Sequence, residues 1–213
     1  MTEGRPARPP RPRRESFAER RARRAAIEDP AVVLEAAARF LEARSRSVSE
    51  VRRRLGQAGY RPELIEGAIG RLTELGMLDD EQFARAWVES RDRARPRGER
   101  AIRDELRLKG IDRETAEVVL GERREAALEA AAAALPDDGG DAPAAGADRL
   151  AAERLIAKQS RALARIADPR KRRQRAYALL ARNGFDPETC REVAASVATL
   201  GETVDAASDD GSA

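Results

Sequence analysis

One pattern of four residues occurs three times along the 213-residue chain and constrains its fold more than any other feature. A leucine precedes a glycine by four positions, a large apolar residue follows the glycine, and a glutamate comes three positions later. A helix that ends at a left-handed glycine, with the next apolar residue folding back over its last turn, produces this spacing. The sequence therefore predicts three similar helix C-termini, within 55–63, 106–114 and 180–188.

Each copy of the pattern lies between two stretches in which apolar residues recur at helical spacing. Such repetition is typical of tandem helical repeats, in which each repeat is one small bundle of helices. The sequence therefore predicts an all-α chain of three tandem three-helix repeats with disordered termini. We expect a disordered basic arm at 1–28, in which Phe17 to Ile27 can become transiently helical. After it we expect repeat 1 at 29–77, repeat 2 with an extended last helix at 78–135, an acidic flexible linker at 136–148, repeat 3 at 149–200 and a disordered acidic tail at 201–213.

The composition agrees with thin helical layers and excludes several kinds of site. Aromatic residues make up only 3% of the chain, so a core must be built mainly from Leu, Ile, Val and Ala. The absence of histidine excludes histidine-dependent catalytic triads and imidazole metal ligands. The single cysteine, Cys190, excludes an intramolecular disulfide and falls at an inward-facing position, where we expect a buried structural thiol.

We therefore expect a protein with no catalytic residues, no metal and no cofactor. No stretch approaches the roughly 20 apolar residues that span a bilayer, and the Arg/Pro-rich N-terminus lacks the apolar segment of a signal peptide. These features predict a cytoplasmic protein that does not contact a membrane.

The only tryptophan lies in the stretch Leu78–Arg91. Phe83 and Trp87 are four residues apart, so in a helix they share one face, and we expect both in the core of repeat 2. Asp79 or Asp80 is suited to cap the exposed amides at the start of this helix. The expected role of this stretch is therefore structural.

Basic residues form the remaining candidate for function. They crowd the region after the tryptophan helix and the start of the second helix of repeat 3, where cations oppose the helix dipole. Such residues bind phosphates or an acidic protein groove, although a solvated arginine-rich face explains the same pattern. The candidate partner-binding residues are Arg91, Arg93, Arg95, Arg97, Arg100, Arg103, Arg107 and Lys109 in repeat 2, and Arg170, Lys171, Arg172 and Arg173 in repeat 3.

One motif consists of Leu78, Asp79, Asp80, Phe83, Ala84, Trp87 and Arg91, followed by Gly98, Glu105–Leu106 and Lys109–Gly110–Ile111. This combination resembles the RecX family of bacterial recombinase regulators. The resemblance covers about residues 30–200 and is strongest from Leu78 to Ile111. Residues Ala43–Ser47 and Gly59–Tyr60 of this chain are similar to the first repeat of that family. The residues that we assign to the structural signature of the family are Leu78, Asp79, Asp80, Phe83, Trp87, Gly59, Gly110 and Gly184.

The resemblance implies an elongated, curved array of repeats that lodges in the helical groove of a RecA filament on single-stranded DNA. There it would inhibit strand exchange and ATP hydrolysis by the recombinase, without catalytic activity of its own. We expect a monomer whose partners are the RecA filament and, through its basic surfaces, single-stranded DNA. The alternative is a helical protein that binds DNA directly through its arginine-rich surfaces. A more distant one is a repeat scaffold for some other protein.

Overall fold

The computed structural model describes residues 15–133 and 146–197. The secondary structure of these residues is helical, and they contain no strand. The all-α prediction is therefore confirmed. The helices are α1 (Phe17–Ala25), α2 (Pro30–Glu42), α3 (Val48–Ala58), α4 (Pro62–Glu74), α5 (Asp80–Ala94), α6 (Glu99–Leu108), α7 (Arg113–Ala133), α8 (Ala147–Ala164), α9 (Pro169–Arg182) and α10 (Pro187–Ser196).

Some of the predicted segments lie outside the described residues: the arm up to residue 14, the linker from 136 to 145 and the tail at 201–213. Among the helices that are described, none is both long enough and apolar enough to cross a membrane. The described residues divide into two units, one within Met1–Leu78 and one within Asp79–Ala213.

The first unit packs α2, α3 and α4 around one core. Its innermost side chains include Val33 and Ala37 from α2, Val51 from α3 and Leu72 from α4, each almost completely buried. These residues follow the helical spacing of the sequence, because each helix turns a single apolar face toward its two neighbours. Leu78 closes this core at the end of the unit.

Helix α1 lies within the basic arm that we expected to be disordered up to residue 28, in the part for which a transient helix was predicted. Ser16 caps its start, and the side chain of Glu19 accepts a hydrogen bond from the Ser16 amide, so two exposed amides of the first turn are satisfied. No residue of α1 is buried. Disorder was predicted because this stretch lacks an apolar face, and the capping box at Ser16 was not recognised in the sequence.

Three helices end as the repeated pattern predicts. Gly59, Gly110 and Gly184 all have positive φ, at 101°, 80° and 81°. In each turn the amide of the following apolar residue donates to the carbonyl of the leucine five positions earlier, which closes the last turn. The pairs are Tyr60 with Leu55, Ile111 with Leu106, and Phe185 with Leu180.

The second unit contains two helical cores. In repeat 2, α5, α6 and α7 enclose residues such as Phe83, Ile102 and Leu120. In repeat 3, α8, α9 and α10 enclose residues such as Ile156 and Leu180. Alanine-rich sequence extends α7 to 21 residues.

Helix α8 begins earlier than we expected. The sequence placed residues up to 148 in a flexible linker, but α8 starts at Ala147, after a first described residue at Gly146. Ala147 is buried, and the carboxylate of Asp148 accepts a hydrogen bond from the amide of Glu99 in α6. The acidic composition of the segment concealed this contact, because Asp148 pairs with groups far away in sequence.

The two repeats of the second unit approach closely at a pair of glycines. The amide of Gly98 donates to the carbonyl of Asn183 at 3.0 Å. A Cβ atom on Gly98 would lie 2.2 Å from the carbonyl oxygen of Gly184, and one on Gly184 would lie 2.4 Å from the Cβ of Ala101. Backbone therefore packs directly on backbone here, and a side chain at either glycine would separate the repeats.

Replacing Gly184 with alanine is expected to destabilise the second unit by about 2–4 kcal/mol, through left-handed strain and overlap with α6. Urea unfolding followed by circular dichroism measures this loss. The matched control is Gly121→Ala in α7, where the new Cβ would meet only the end of Arg124, at 3.8 Å. This control is expected to be stabilised by about 0.5–1 kcal/mol, because alanine favours helix. Equal effects of the two substitutions would contradict the proposed packing.

Candidate partner-binding surface

Most of the predicted basic residues of repeat 2 are ion-paired within the chain. Side chains on α5, α6 and α7 alternate in sign, so each of these arginines lies beside a carboxylate of its own or a neighbouring helix. Cations that are already neutralised in this way attract an anionic partner less strongly than unpaired ones. The pairs are Arg91 with Glu105 (2.5 Å), Arg93 with Glu89, Arg97 with Glu105 (3.1 Å), Arg103 with Glu99 and Glu117 (both 2.7 Å), and Arg107 with Asp104 (3.9 Å).

Five of the paired and neighbouring residues form what we call the Trp87 cluster: Trp87, Arg91, Arg97, Glu105 and Lys109. The indole N–H of Trp87 donates to Glu105 Oε2 at 2.8 Å, and Arg91 Nε donates to the same oxygen. The guanidinium of Arg91 and the ammonium of Lys109 lie 4.3 and 4.6 Å from the centre of the indole ring, within cation–π distance.

This geometry alters the role that we expected for the tryptophan. Phe83 is buried, but Trp87 is half-buried, with its ring stacked at 6.0 Å from Phe83 on the inner side. Trp87 therefore connects the core of repeat 2 to the cations at its surface. Of the two predicted capping residues, Asp79 is the cap, because its carboxylate accepts hydrogen bonds from the amides of Glu81 and Gln82. Asp80 is the first residue of α5.

The connection between α5 and α6 is held in place by Arg123 of α7. Its side chain is only 6% exposed and forms two hydrogen bonds of 2.9 Å with Asp92, one of 2.7 Å with Asp148 and one of 3.4 Å with the carbonyl of Arg97. Burial raises the pKa of Asp148 above its ordinary value, against the opposing effects of the Glu99 amide and Arg123. We call these residues the Arg123 network.

The Arg123 network was not foreseen from the sequence. Its members are 31 and 25 residues from Arg123, so no local spacing relates them. The network joins repeat 3, through Asp148, to the segment that carries Arg95 and Arg97. It thereby positions the candidate surface without itself being exposed.

Five predicted residues are exposed and form no ion pair with any residue in 15–133 or 146–197: Arg95, Arg100, Arg170, Lys171 and Arg173. Arg172 differs from them. It is buried, and its Nε donates to the carbonyl of Ile166 at 3.1 Å, so its contacts stabilise the start of α9. We therefore correct the prediction for Arg172, which is placed as a structural residue rather than a partner-binding one.

A further row of cations was missed at the sequence level. Arg154, Lys158, Arg161 and Arg165 lie along α8 and are all exposed. Their spacing of four, three and four residues places them on one helix face. This spacing is visible in the sequence, but the prediction for this helix was based on its apolar residues alone.

Within residues 15–133 and 146–197, no group of three or more Cys, Asp or Glu side chains is arranged to hold a metal ion. Cys190 is fully buried, and burial raises the pKa of its thiol, which disfavours the reactive thiolate. The surface is thus suited to binding through charge.

The fold defines a tandem three-helix-repeat protein. Family models match it in three places, described as RecX, first three-helix domain (34–72), second three-helix domain (79–120) and third three-helix domain (150–194). These matches cover more than half of the chain, and the chain belongs to the RecX family.

Curated relatives and a solved structure agree with this assignment. Regulatory protein RecX of Mycolicibacterium vanbaalenii is 32% identical over 154 residues, which cover 70% of this chain and 72% of the relative. Regulatory protein RecX of Mycobacterium ulcerans is 32% identical over 155 residues, 73% of this chain and 78% of the relative. The crystal structure of RecX from Lactobacillus salivarius has a TM-score of 0.61 at 18% identity, covering 80% of this chain and 97% of that one. At this identity the structural likeness shows the fold alone.

Replacing Arg123 with alanine is expected to cost about 3 kcal/mol of stability in the second unit, because Asp92 and Asp148 would lose their partner in a largely buried site. The adjacent Arg124→Ala is the matched control. Arg124 is exposed and pairs with Glu99 at 2.8 Å, so its loss is expected to cost less than about 1 kcal/mol. Urea unfolding of the two variants checks the difference, and similar costs would argue against the network.

Proposed function

We propose that this chain binds filaments of the RecA recombinase on single-stranded DNA and inhibits their ATP hydrolysis and strand exchange. The observation that carries the proposal is membership of the RecX family across all three repeats. The regulator acts by binding and needs no catalytic residue of its own. Its docking site is the helical groove of the filament.

Tandem repeats suit a filament because a filament presents the same surface on successive subunits. When one repeat has bound, the next is held close to a neighbouring subunit, so moderate single contacts combine into a strong one. Basic side chains accelerate the encounter and make it dependent on salt. This arrangement also explains why no single repeat needs a deep pocket or a large apolar anchor.

The contacting residues are expected among the cations that lack partners inside the chain. Arg91 and Arg103 already bind carboxylates, and a partner would have to break those pairs before using them. Arg95 and Arg100 in repeat 2 are exposed and have no such pair in the described residues. The same holds for Arg170, Lys171 and Arg173 at the start of α9, where the helix dipole adds positive potential.

The decisive experiment measures the ATPase activity of RecA on single-stranded DNA as the full chain is added. We expect inhibition by the native chain and weaker inhibition by R95Q/R100Q and by R170Q/K171Q/R173Q. The five substitutions together are expected to raise the half-inhibitory concentration by about tenfold or more, because the contacts act jointly. Glutamine is chosen because it removes charge while keeping a polar side chain.

The control variant is R182Q/R191Q, which removes two exposed arginines that form no ion pair in the described part of repeat 3. It should inhibit as the native chain does, and circular dichroism should show unchanged helix content in every variant. A native chain that leaves the ATPase untouched, and that sediments with DNA equally well with or without RecA, would refute the filament proposal. That result would favour direct DNA binding.

A further inference from the structure

The cationic face of α8 is the strongest charged feature that the proposed function does not use. Its four residues, Arg154, Lys158, Arg161 and Arg165, are here called the α8 stripe. Like charges at spacings of three and four residues repel each other along a helix. A folded chain that keeps such a row without internal compensation has a surface suited to an external anion.

Internal compensation is scarce in this part of repeat 3. Between residues 154 and 185 the sequence has ten basic residues and a single acidic one, Asp168. The carboxylate of Asp168 accepts hydrogen bonds from the amides of Arg170 and Lys171, so it caps α9. Repeat 2 differs because its arginines alternate with carboxylates that neutralise them.

The position of the stripe is fixed by Lys158. Its ammonium donates hydrogen bonds of 2.9 Å to the carbonyls of Arg93 and Ala94 at the end of α5. The other three residues of the stripe form no ion pair within the described ranges. Arg154 also lines a shallow groove of about 400 Å³ with Glu89, Asp92 and Arg93. Lys158 is therefore an anchor, and the three arginines are available to a ligand.

The chemistry of the stripe favours nucleic acid over a protein partner. Protein interfaces are enriched in aromatic residues and Met alongside Arg, whereas the exposed residues between these cations are Ala157, Gln159, Ser160, Ala162 and Ala164, none of them aromatic or Met. Arginine, glutamine and serine are the side chains that commonly contact phosphate oxygens. Contacts to phosphate carry no information about base sequence, and the exposed residues of this face include no aromatic ring on which a base could stack.

The length of the stripe also fits a phosphate backbone. At 1.5 Å per residue, the eleven steps from Arg154 to Arg165 span about 16 Å. Phosphates on one strand of a duplex advance by about 3.4 Å along the axis, so the stripe is about five nucleotides long. One face of one helix can therefore follow a single strand over several consecutive phosphates.

We propose that the α8 stripe binds the phosphate backbone of nucleic acid, independently of base sequence. The inference goes beyond the proposed function, because it requires no recombinase.

The test is fluorescence anisotropy of a labelled 30-nucleotide single strand and of the corresponding duplex, titrated with the full chain over a range of salt concentrations. The variant R154Q/R161Q/R165Q removes the three available arginines and leaves Lys158 in place. Its affinity is expected to fall by about tenfold or more at low salt. On the single strand, the slope of log affinity against log salt should become shallower by about 2, the sum of three phosphate contacts.

The matched control is R113Q/R182Q/R191Q, which has the same change in net charge and also replaces exposed arginines without ion pairs in the described residues. The proposal requires the control to keep native affinity and both variants to melt as the native chain does. Equal weakening by both variants would reduce the effect to net charge and overturn the proposal. Native affinity in the stripe variant would also overturn the proposal. If that variant in addition inhibited RecA less than the native chain does, the stripe would be a contact for protein instead.

The two proposals fail separately. Binding to bare nucleic acid is measured without RecA, so its loss in the stripe variant is informative even if the native chain does not inhibit the recombinase. Conversely, RecA inhibition that responds to R95Q/R100Q supports the proposed function, whatever the oligonucleotide titration shows.

Discussion

The buried guanidinium of Arg123 holds the second unit together. It binds Asp92 of α5 and Asp148 of α8, and it also reaches the carbonyl of Arg97 in the connection between α5 and α6. Burying three charges gives little net stability, because desolvation offsets most of their attraction. The value of the network lies in geometry, since a guanidinium with several fixed partners admits only one arrangement of the helices around it.

The arginines of this chain fall into two populations that composition cannot separate. One population faces carboxylates of neighbouring helices, as Arg91 and Arg103 do, and these pairs help to specify how the helices pack. The other population is exposed and unpaired within the described residues, and it is concentrated in repeat 3. A net charge of only +3 conceals this division, because repeat 2 neutralises itself and repeat 3 does not. Under the proposed function, binding therefore depends on where carboxylates are absent.

Local rules predicted much of the fold, and long-range pairing limited the prediction of the site. Glycine spacing located the helix ends at Gly59 and Gly184, because a left-handed turn makes a strict demand on the residue that occupies it. The helical phase of apolar residues likewise gave the cores of all three repeats. Arg123 is buried by contacts with residues 25 and 31 positions away, which no local pattern encodes. Arg172 is buried against the carbonyl of Ile166, just before α9, and the run of cations around it concealed this contact.

The glycine that ends a helix has a second effect at two of the three repeats. The turn requires glycine, so the backbone at this position is not covered by a side chain. Another helix packs against the uncovered backbone: α1 contacts Gly59 through Arg21, and α6 contacts Gly184 through Ala101. The need for glycine at the helix end thus also creates a contact site for a second helix. At Gly59 and Gly184, the turn that ends one helix therefore serves as the point at which a neighbouring helix packs.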